Sequence, residues 1–183
     1  MKVYLEMFSP QSIYAYLIGF LEQGGPVLIV IMIATFTLWL LIIERHYFFL
    51  KTKDIITFKI ITKWNSRKDK SSWFAEKIRQ RFISLAKIHA EKNITIIKAV
   101  VTIAPLLGLL GTVTGMIDVF DVMALTGSSN SRAMASGISK ATIPTMAGMV
   151  VSLSGLLFIV SLQKRAHKFV DHLSNEMLLE DKS

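Results

Sequence analysis

Three runs of the chain carry no charged side chain and are long enough to cross a membrane. They are Gln23 to Ile43 with 21 residues, Ala99 to Ile117 with 19, and Ala141 to Gln163 with 23. A helix needs roughly 20 apolar residues to cross the hydrocarbon layer of a bilayer. The pattern predicts an all-α membrane protein with three transmembrane helices, over residues 23–43, 99–120 and 141–163.

The composition agrees with a membrane location and excludes several kinds of chemistry. Hydrophobic residues make up 52% of the 183 positions, above the share of about 45 to 50% that is usual in soluble domains. Cysteine is absent, which rules out disulfides, thiol catalysis and cysteine metal sites. The four histidines include no pair four residues apart, so neither a metal site nor any cofactor is expected.

The basic residues are concentrated in two segments and predict how the chain crosses the membrane. Of 21 Lys and Arg, 14 lie between Arg45 and Lys98 and four lie from Lys164 onward. The positive-inside rule places the basic helical segment 44–98 and the C-terminal helix 164–183 in the cytoplasm. The N-terminus and a short connection, 121–140, are then periplasmic. Because topology explains the net charge of +8, no nucleic-acid partner is expected.

The N-terminal segment differs from the spans. Glu6 and Glu22 interrupt its apolar stretches and only Lys2 is basic, which is unlike a signal peptide. Residues 1–22 are predicted to form an amphipathic helix at the periplasmic membrane surface.

The cytoplasmic segment contains a loop followed by a helix. The string NSRKDKSS, at 65–72, predicts a loop whose final serines cap the next helix. Apolar side chains then recur at helical spacing, at Phe74, Ile78, Phe82 and Leu85. No Pro or Gly follows until Pro105, so one uninterrupted helix is predicted from Trp73 to about residue 120. Such a protruding helix needs a partner, either the C-terminal helix or further copies of the chain.

Small residues at intervals of three and four mark one side of the second and third spans. This spacing lets helix backbones approach closely inside a membrane, where the hydrophobic effect does not drive helices together. Helix packing is therefore predicted for Pro105, Gly108, Gly111, Gly115, Gly148, Ser152 and Gly155.

Four threonines, Thr112, Thr114, Thr142 and Thr145, place hydroxyls in these two spans. Two interpretations stay open: each hydroxyl bonds a carbonyl one turn earlier, or the hydroxyls form a polar lining. Neither charge-free run contains an ionisable side chain, so an intramembrane enzyme is not favoured. If the protein conducts protons, a partner must supply the titrating carboxylate.

Two strings carry a resemblance to a known family. APLLGLLGTVTGMIDVF resembles the second-helix signature of the MotA/TolQ/ExbB proton-channel family, and GISKATIPTMAGMVVSLSG resembles its third-helix signature. The first span is similar to the family's first helix, with its glycine pair and terminal Glu-Arg. The resemblance runs from about Gly24 to His172 and is strongest to the small ExbB subunits of second TonB systems.

The resemblance implies a bacterial inner-membrane channel that is not an enzyme. Its subunits form a homo-oligomer, in ExbB a pentamer, around the single span of an ExbD-type partner that carries an essential Asp. Proton flow then drives a TonB-type protein that powers outer-membrane uptake. By position, Thr112 and Thr145 match pore-facing threonines, while Pro105, Gly111 and Gly115 match structural positions.

One position departs from the family pattern. Lys140 stands where many relatives have Glu at the start of the third helix. Asp118 and Asp121 either pair with Lys140 or are solvated separately, as interfacial charges often are.

A TolQ-type subunit for envelope integrity and a non-conducting three-span scaffold would share this architecture.

Overall fold

The structure, a computed structural model, describes residues 10–126 and 131–177 and is helical almost throughout. Three stretches are long and apolar enough to cross a membrane: Gly24–Asn65, Trp73–Leu125 and Met134–Glu176. The helices are α1 (Pro10–Tyr47), a π-helical turn (Phe48–Thr52), α2 (Lys53–Asn65), α3 (Trp73–Glu91), α4 (Ile94–Thr126) and α5 (Ser131–Glu176). No strand occurs in these ranges. The predicted all-α class with three membrane-spanning helices is confirmed.

A kink divides α1 at the start of the first span. Gly25 has φ 64° and ψ −167°, and Pro26 follows it. Only glycine adopts this backbone conformation readily, and proline cannot donate a helical hydrogen bond. The kink separates the N-terminal part of α1 from the apolar span. Residues 1–9 of the predicted surface helix lie outside the described residues, and its place at the membrane surface stays a prediction.

The helices continue into the segment predicted as a short periplasmic connection. Within 121–140, α4 extends to Thr126 and α5 begins at Ser131. Between them, residues 127–130 lie outside the described part of the chain. The side of the membrane on which this segment lies stays a prediction.

The chain forms two compact units, of which the first contains most of the apolar spans. It comprises the described parts of Met1–Thr37 and Val100–Ser154. Its interior is made of aliphatic side chains and small residues rather than aromatic rings. Apart from glycines, the buried members are Val27, Leu28, Ile31, Val101, Ala104, Val119, Ala141, Pro144 and Val151.

The second unit comprises the described parts of Leu38–Ala99 and Gly155–Ser183. The predicted helix from Trp73 is present as α3, and its most deeply buried side chains are alanines rather than the regularly spaced large apolar residues. Phe74 is 69% exposed and Leu85 41% exposed, whereas Ala75, Ala86 and Ala90 are completely buried. Alanines allow a closer approach of neighbouring helices than the large side chains do, and sequence spacing alone does not reveal this preference.

The predicted loop before α3 is present over residues 66–72, and of the two serines predicted to cap the helix, Ser72 is the cap. The Ser72 hydroxyl accepts a hydrogen bond from the Ala75 backbone N–H at 3.2 Å, as an N-cap residue does. Asp69 accepts hydrogen bonds from the Ser72 hydroxyl and from the Ser72 backbone N–H. These bonds, the hydroxyl bond above all, hold the pKa of the Asp69 carboxyl below its ordinary value of 3.8.

Two arginines in the second unit cap the C-terminal ends of helices. Arg45 is 1% exposed, and its Nη1 donates to the carbonyls of His89 at 2.7 Å and Ala90 at 3.2 Å. Arg79 donates to the Met177 carbonyl at 2.6 Å and the Ser174 carbonyl at 2.8 Å. The last carbonyls of a helix lack intrahelical donors and carry a partial negative charge, so a cation stabilises them.

The predicted uninterrupted helix from Trp73 to residue 120 is wrong at Lys92–Asn93, where α3 ends and α4 begins. Lys92 has ψ 135° and Asn93 has φ 64°, a left-handed conformation that Asn tolerates better than most residues. The Asn93 side chain donates to Glu44 Oε2 at 3.0 Å. The break is therefore held by the Glu44–Arg45 pair at the end of the first span.

Candidate functional site

The second and third spans approach each other closely in the first unit because glycine lies at their contact. A β-carbon placed on Gly108 would lie 2.9 Å from Thr145 Cα, and one on Gly115 would lie 2.7 Å from Ala141 Cα. Both distances are below any normal carbon contact, and both opposing atoms belong to the backbone. A larger residue at either position would force α4 and α5 apart.

The same arrangement extends along the contact in both directions. A β-carbon on Gly148 would lie 2.5 Å from the Ala104 carbonyl oxygen. At Gly111 it would overlap Pro144 and lie 3.4 Å from Val27 Cγ1, so α1, α4 and α5 meet there. The glycines of the second span thus contact the third span of the same chain. Of the other packing candidates, Gly155 is buried, while Pro105 and Ser152 are half-buried.

Thr145 joins the two spans by a hydrogen bond. Its hydroxyl donates to the Gly108 carbonyl at 2.9 Å, and the absence of a side chain on Gly108 leaves that carbonyl accessible. A hydroxyl has one proton and two lone pairs. In this arrangement the hydroxyl proton of Thr145 is hydrogen-bonded to Gly108, while the hydroxyl oxygen can still accept a hydrogen bond from another group.

The other three candidate threonines bond within their own helices. Thr112 donates to the Leu109 carbonyl at 2.7 Å, and Thr142 donates to the Ser139 carbonyl at 2.9 Å. Thr114 lies 3.1 Å from the carbonyls of both Leu110 and Gly111. Thr145 is thus the member of this set whose hydroxyl joins two helices. The role of all four in lining a pore stays a prediction.

The charged residues at the predicted periplasmic edge are all exposed. Asp118, Asp121 and Lys140 have open side chains, and within residues 10–126 and 131–177 no ion pair joins them. This agrees with separate solvation of the three charges. Histidine and carboxylate side chains form no cluster of three or more that could hold a metal ion in the described parts.

Sequence reasoning missed the structural use of Glu44 and Arg45. They were noted only as a terminal Glu-Arg in the resemblance, and their partners lie 44 to 49 positions later in the chain. The available signal was a charge pair directly following an apolar run. That signal gives a position but not the carbonyls that Arg45 binds.

These features define a helical membrane protein whose second and third spans pack through small residues. Neither 99–117 nor 141–163 contains an ionisable side chain. The family model for the MotA/TolQ/ExbB proton channel family matches residues 50–175. The chain belongs to this family, which is one of proton channels rather than of enzymes. Three spans together with this membership make it a multi-pass inner-membrane protein.

Proteins similar to this chain are described as ExbB or ExbB-like biopolymer transport proteins. One from Synechocystis is 39% identical over 46% of this chain and 35% of its own length. ExbB of Helicobacter pylori is 31% identical over 46% of this chain and 58% of its own length. ExbB1 of Vibrio cholerae is 46% identical over 28% of this chain and 23% of its own length. The matches thus span between about a quarter and somewhat over half of these relatives.

Proposed function

We propose that the chain is the ExbB-type subunit of an inner-membrane proton channel that couples the proton motive force to TonB-dependent transport across the outer membrane. The observation that carries the proposal is the Thr145 hydroxyl, bonded to the Gly108 carbonyl between two spans that have no titratable group of their own in their charge-free runs. The family membership and the ExbB names of similar proteins support it.

The proton-carrying group comes from a partner in this mechanism. An ExbD-type protein with one span and an essential Asp supplies the carboxyl group that the charge-free runs lack. A protonated carboxyl donates a hydrogen bond, while an ionised one only accepts. While its hydroxyl donates a hydrogen bond to the Gly108 carbonyl, Thr145 accepts a hydrogen bond from the protonated Asp. To donate to the ionised Asp, it must rotate and release the Gly108 carbonyl, so the two protonation states select two arrangements of the α4–α5 contact.

When several copies of the chain assemble, the contact between α4 and α5 faces a central pore. In the single chain, large apolar side chains on α4 and α5 are exposed, including Leu106 at 60%, Leu153 at 65% and Leu157 at 74%. Inside a membrane such surfaces contact lipid or other helices. We infer a homo-oligomer, a pentamer as in ExbB, around the ExbD-type span, with a TonB-type protein as the recipient of the motion. The N-terminus is then periplasmic and residues 44–98 and 164–183 are cytoplasmic.

Proton flux into proteoliposomes tests the channel directly. The purified chain alone should leak no faster than empty liposomes, because its charge-free runs offer no titrating group on which a proton can be stabilised. Addition of the ExbD-type partner should produce flux, and a partner with Asp→Asn should not. Rapid flux through the chain alone, followed with a pH-sensitive dye, would contradict the proposed division of roles.

Coupling to TonB requires a separate measurement in cells. Deletion of the gene should abolish growth on an iron source that depends on TonB, and should leave resistance to detergent unchanged. The reverse result, detergent sensitivity with normal growth, would instead assign the chain to a TolQ-type role in envelope integrity.

A further inference from the structure

A basic cavity of about 420 Å³ lies in the second unit, between α5 and the segment formed by the π-helical turn and α2. Three of its lining residues are basic, namely Lys53, Arg165 and Lys168, and His172 lines it as well. Asp54 is its single acidic residue. With His172 neutral, three positive charges and one negative charge leave the lining at +2.

The positive charge of this cavity is poorly neutralised within the chain. Lys53 Nζ lies 3.9 Å from Asp54 Oδ1, and the two side chains are 44% and 75% exposed, so the pair is weak. Arg165 and Lys168 are exposed and form no ion pair with another residue in the described part of the chain. An anion, and a phosphate above all, is the ligand that such a group of Arg and Lys side chains recognises.

A second, apolar cavity of about 280 Å³ adjoins the first and shares Arg165 with it. Its other walls include Ile42, Leu157 and Leu162, which belong to the charge-free runs of the first and third spans. Arg165 comes two residues after Gln163, the last residue of the third run, or about 3 Å along a helix. The apolar cavity therefore lies at the depth of acyl chains, and the basic cavity begins at the depth of headgroups.

We propose that these two cavities bind one anionic phospholipid, with the phosphodiester in the basic cavity and an acyl chain in the apolar one. Arg165 lies at the junction of the two cavities, where its guanidinium donates hydrogen bonds to the phosphate and its methylene groups cover the start of the acyl chain. Buried Phe49 and Phe169 form an apolar floor beneath the headgroup. A free phosphate would use only the basic cavity. The binding site is independent of proton conduction and of which end of the chain is periplasmic.

Native mass spectrometry of the full-length, delipidated protein with equal amounts of phosphatidylglycerol and phosphatidylcholine tests the site. The protein should retain phosphatidylglycerol preferentially. Arg165→Gln should lower this retention about fivefold, since one basic residue beside an anionic lipid contributes about 1 kcal/mol. Lys164→Gln removes the same charge from the neighbouring residue, which lines neither cavity, and should retain the lipid. Equal losses in the two variants would overturn the site.

Two further arms separate the lipid from free phosphate and guard against misfolding. Inorganic phosphate or glycerol phosphate, at the same concentration as the lipid, should not displace it, because neither fills the apolar cavity. Displacement by either would overturn the lipid assignment. Lys168→Gln, on an exposed position of α5, should also lower retention with unchanged helicity by circular dichroism. Full retention in both Lys168→Gln and Arg165→Gln would contradict the proposal.

Discussion

At the scale of single residues, the hydroxyl of Thr145 is the group on which the proposed mechanism depends. Thr145→Val keeps the side-chain shape and removes the bond to the Gly108 carbonyl, at a cost of about 1 kcal/mol. We expect normal membrane levels but loss of growth on a TonB-dependent iron source. Thr145→Ser should retain much of the growth because it keeps the hydroxyl.

A matched control separates this effect from the loss of any threonine hydroxyl in a span. Thr37 donates to the Ile33 carbonyl of its own helix at 2.9 Å, so Thr37→Val should grow normally. Immunoblots and crosslinking establish that each variant is present and assembled. Normal growth of Thr145→Val would contradict a role of the hydroxyl in the mechanism and would leave Thr145 with a packing role alone.

Sequence reasoning reached the candidate threonines but could not rank their hydroxyl contacts. A polar residue in an apolar run is visible from the sequence, and so is the possibility of a bond to the preceding turn. Whether Thr145 bonds across to another helix depends on Gly108 lying opposite it, 37 positions earlier. That relation is a property of the packed helices.

At the scale of elements, the glycines determine how closely α4 and α5 can approach. Gly115→Leu would place a side chain against the Ala141 backbone, and we expect a loss of about 1 to 3 kcal/mol from overpacking. Thermal stability in detergent and the oligomer seen by crosslinking should both fall. Gly19→Leu is the control, because a β-carbon there meets nothing within 4 Å. An unchanged melting temperature in Gly115→Leu would contradict the close contact.

A second prediction at this scale concerns the break between α3 and α4. Arg45→Met keeps the length of the side chain but removes the donors to the carbonyls of His89 and Ala90. Hydrogen bonds from a charged group contribute about 1.5 to 3 kcal/mol, so the last turn of α3 should exchange its amide hydrogens faster. Arg81→Met, at an exposed position of the same helix, should not change this exchange. Equal exchange in Arg45→Met and the unmodified protein would show that the cap does not stabilise α3.

Whole elements were predicted more reliably from the sequence than their faces and ends. The apolar runs and the serine cap depend on neighbours along the chain, and both were found in the structure. The end of α3 at Lys92–Asn93 depends on Glu44, 49 positions earlier, and no proline or glycine marks it. The buried alanines of α3 were missed for the same reason, since large apolar residues give a stronger sequence signal.

At the scale of the whole molecule, the lack of cysteine makes the predicted topology directly measurable. Single cysteines at Ser66→Cys and Ser128→Cys would be the only thiols in the chain. In spheroplasts, a membrane-impermeant maleimide should label Ser128→Cys, in the predicted periplasmic connection, but not Ser66→Cys, in the predicted cytoplasmic segment. Both should react after lysis. The reverse pattern in intact spheroplasts would invert the predicted orientation.

The cap that Arg45 provides also sets an order for the synthesis of the protein. Its acceptor carbonyls belong to residues 44 and 45 positions later, and a ribosome adding about 5 to 20 residues per second needs roughly 2 to 9 s to reach them. During that interval the arginine must keep its charge in water or among headgroups, which a long side chain at the end of a span can reach. We therefore expect the first span to enter the membrane before Arg45 has its permanent partners, and the cap to form once α3 has been synthesised.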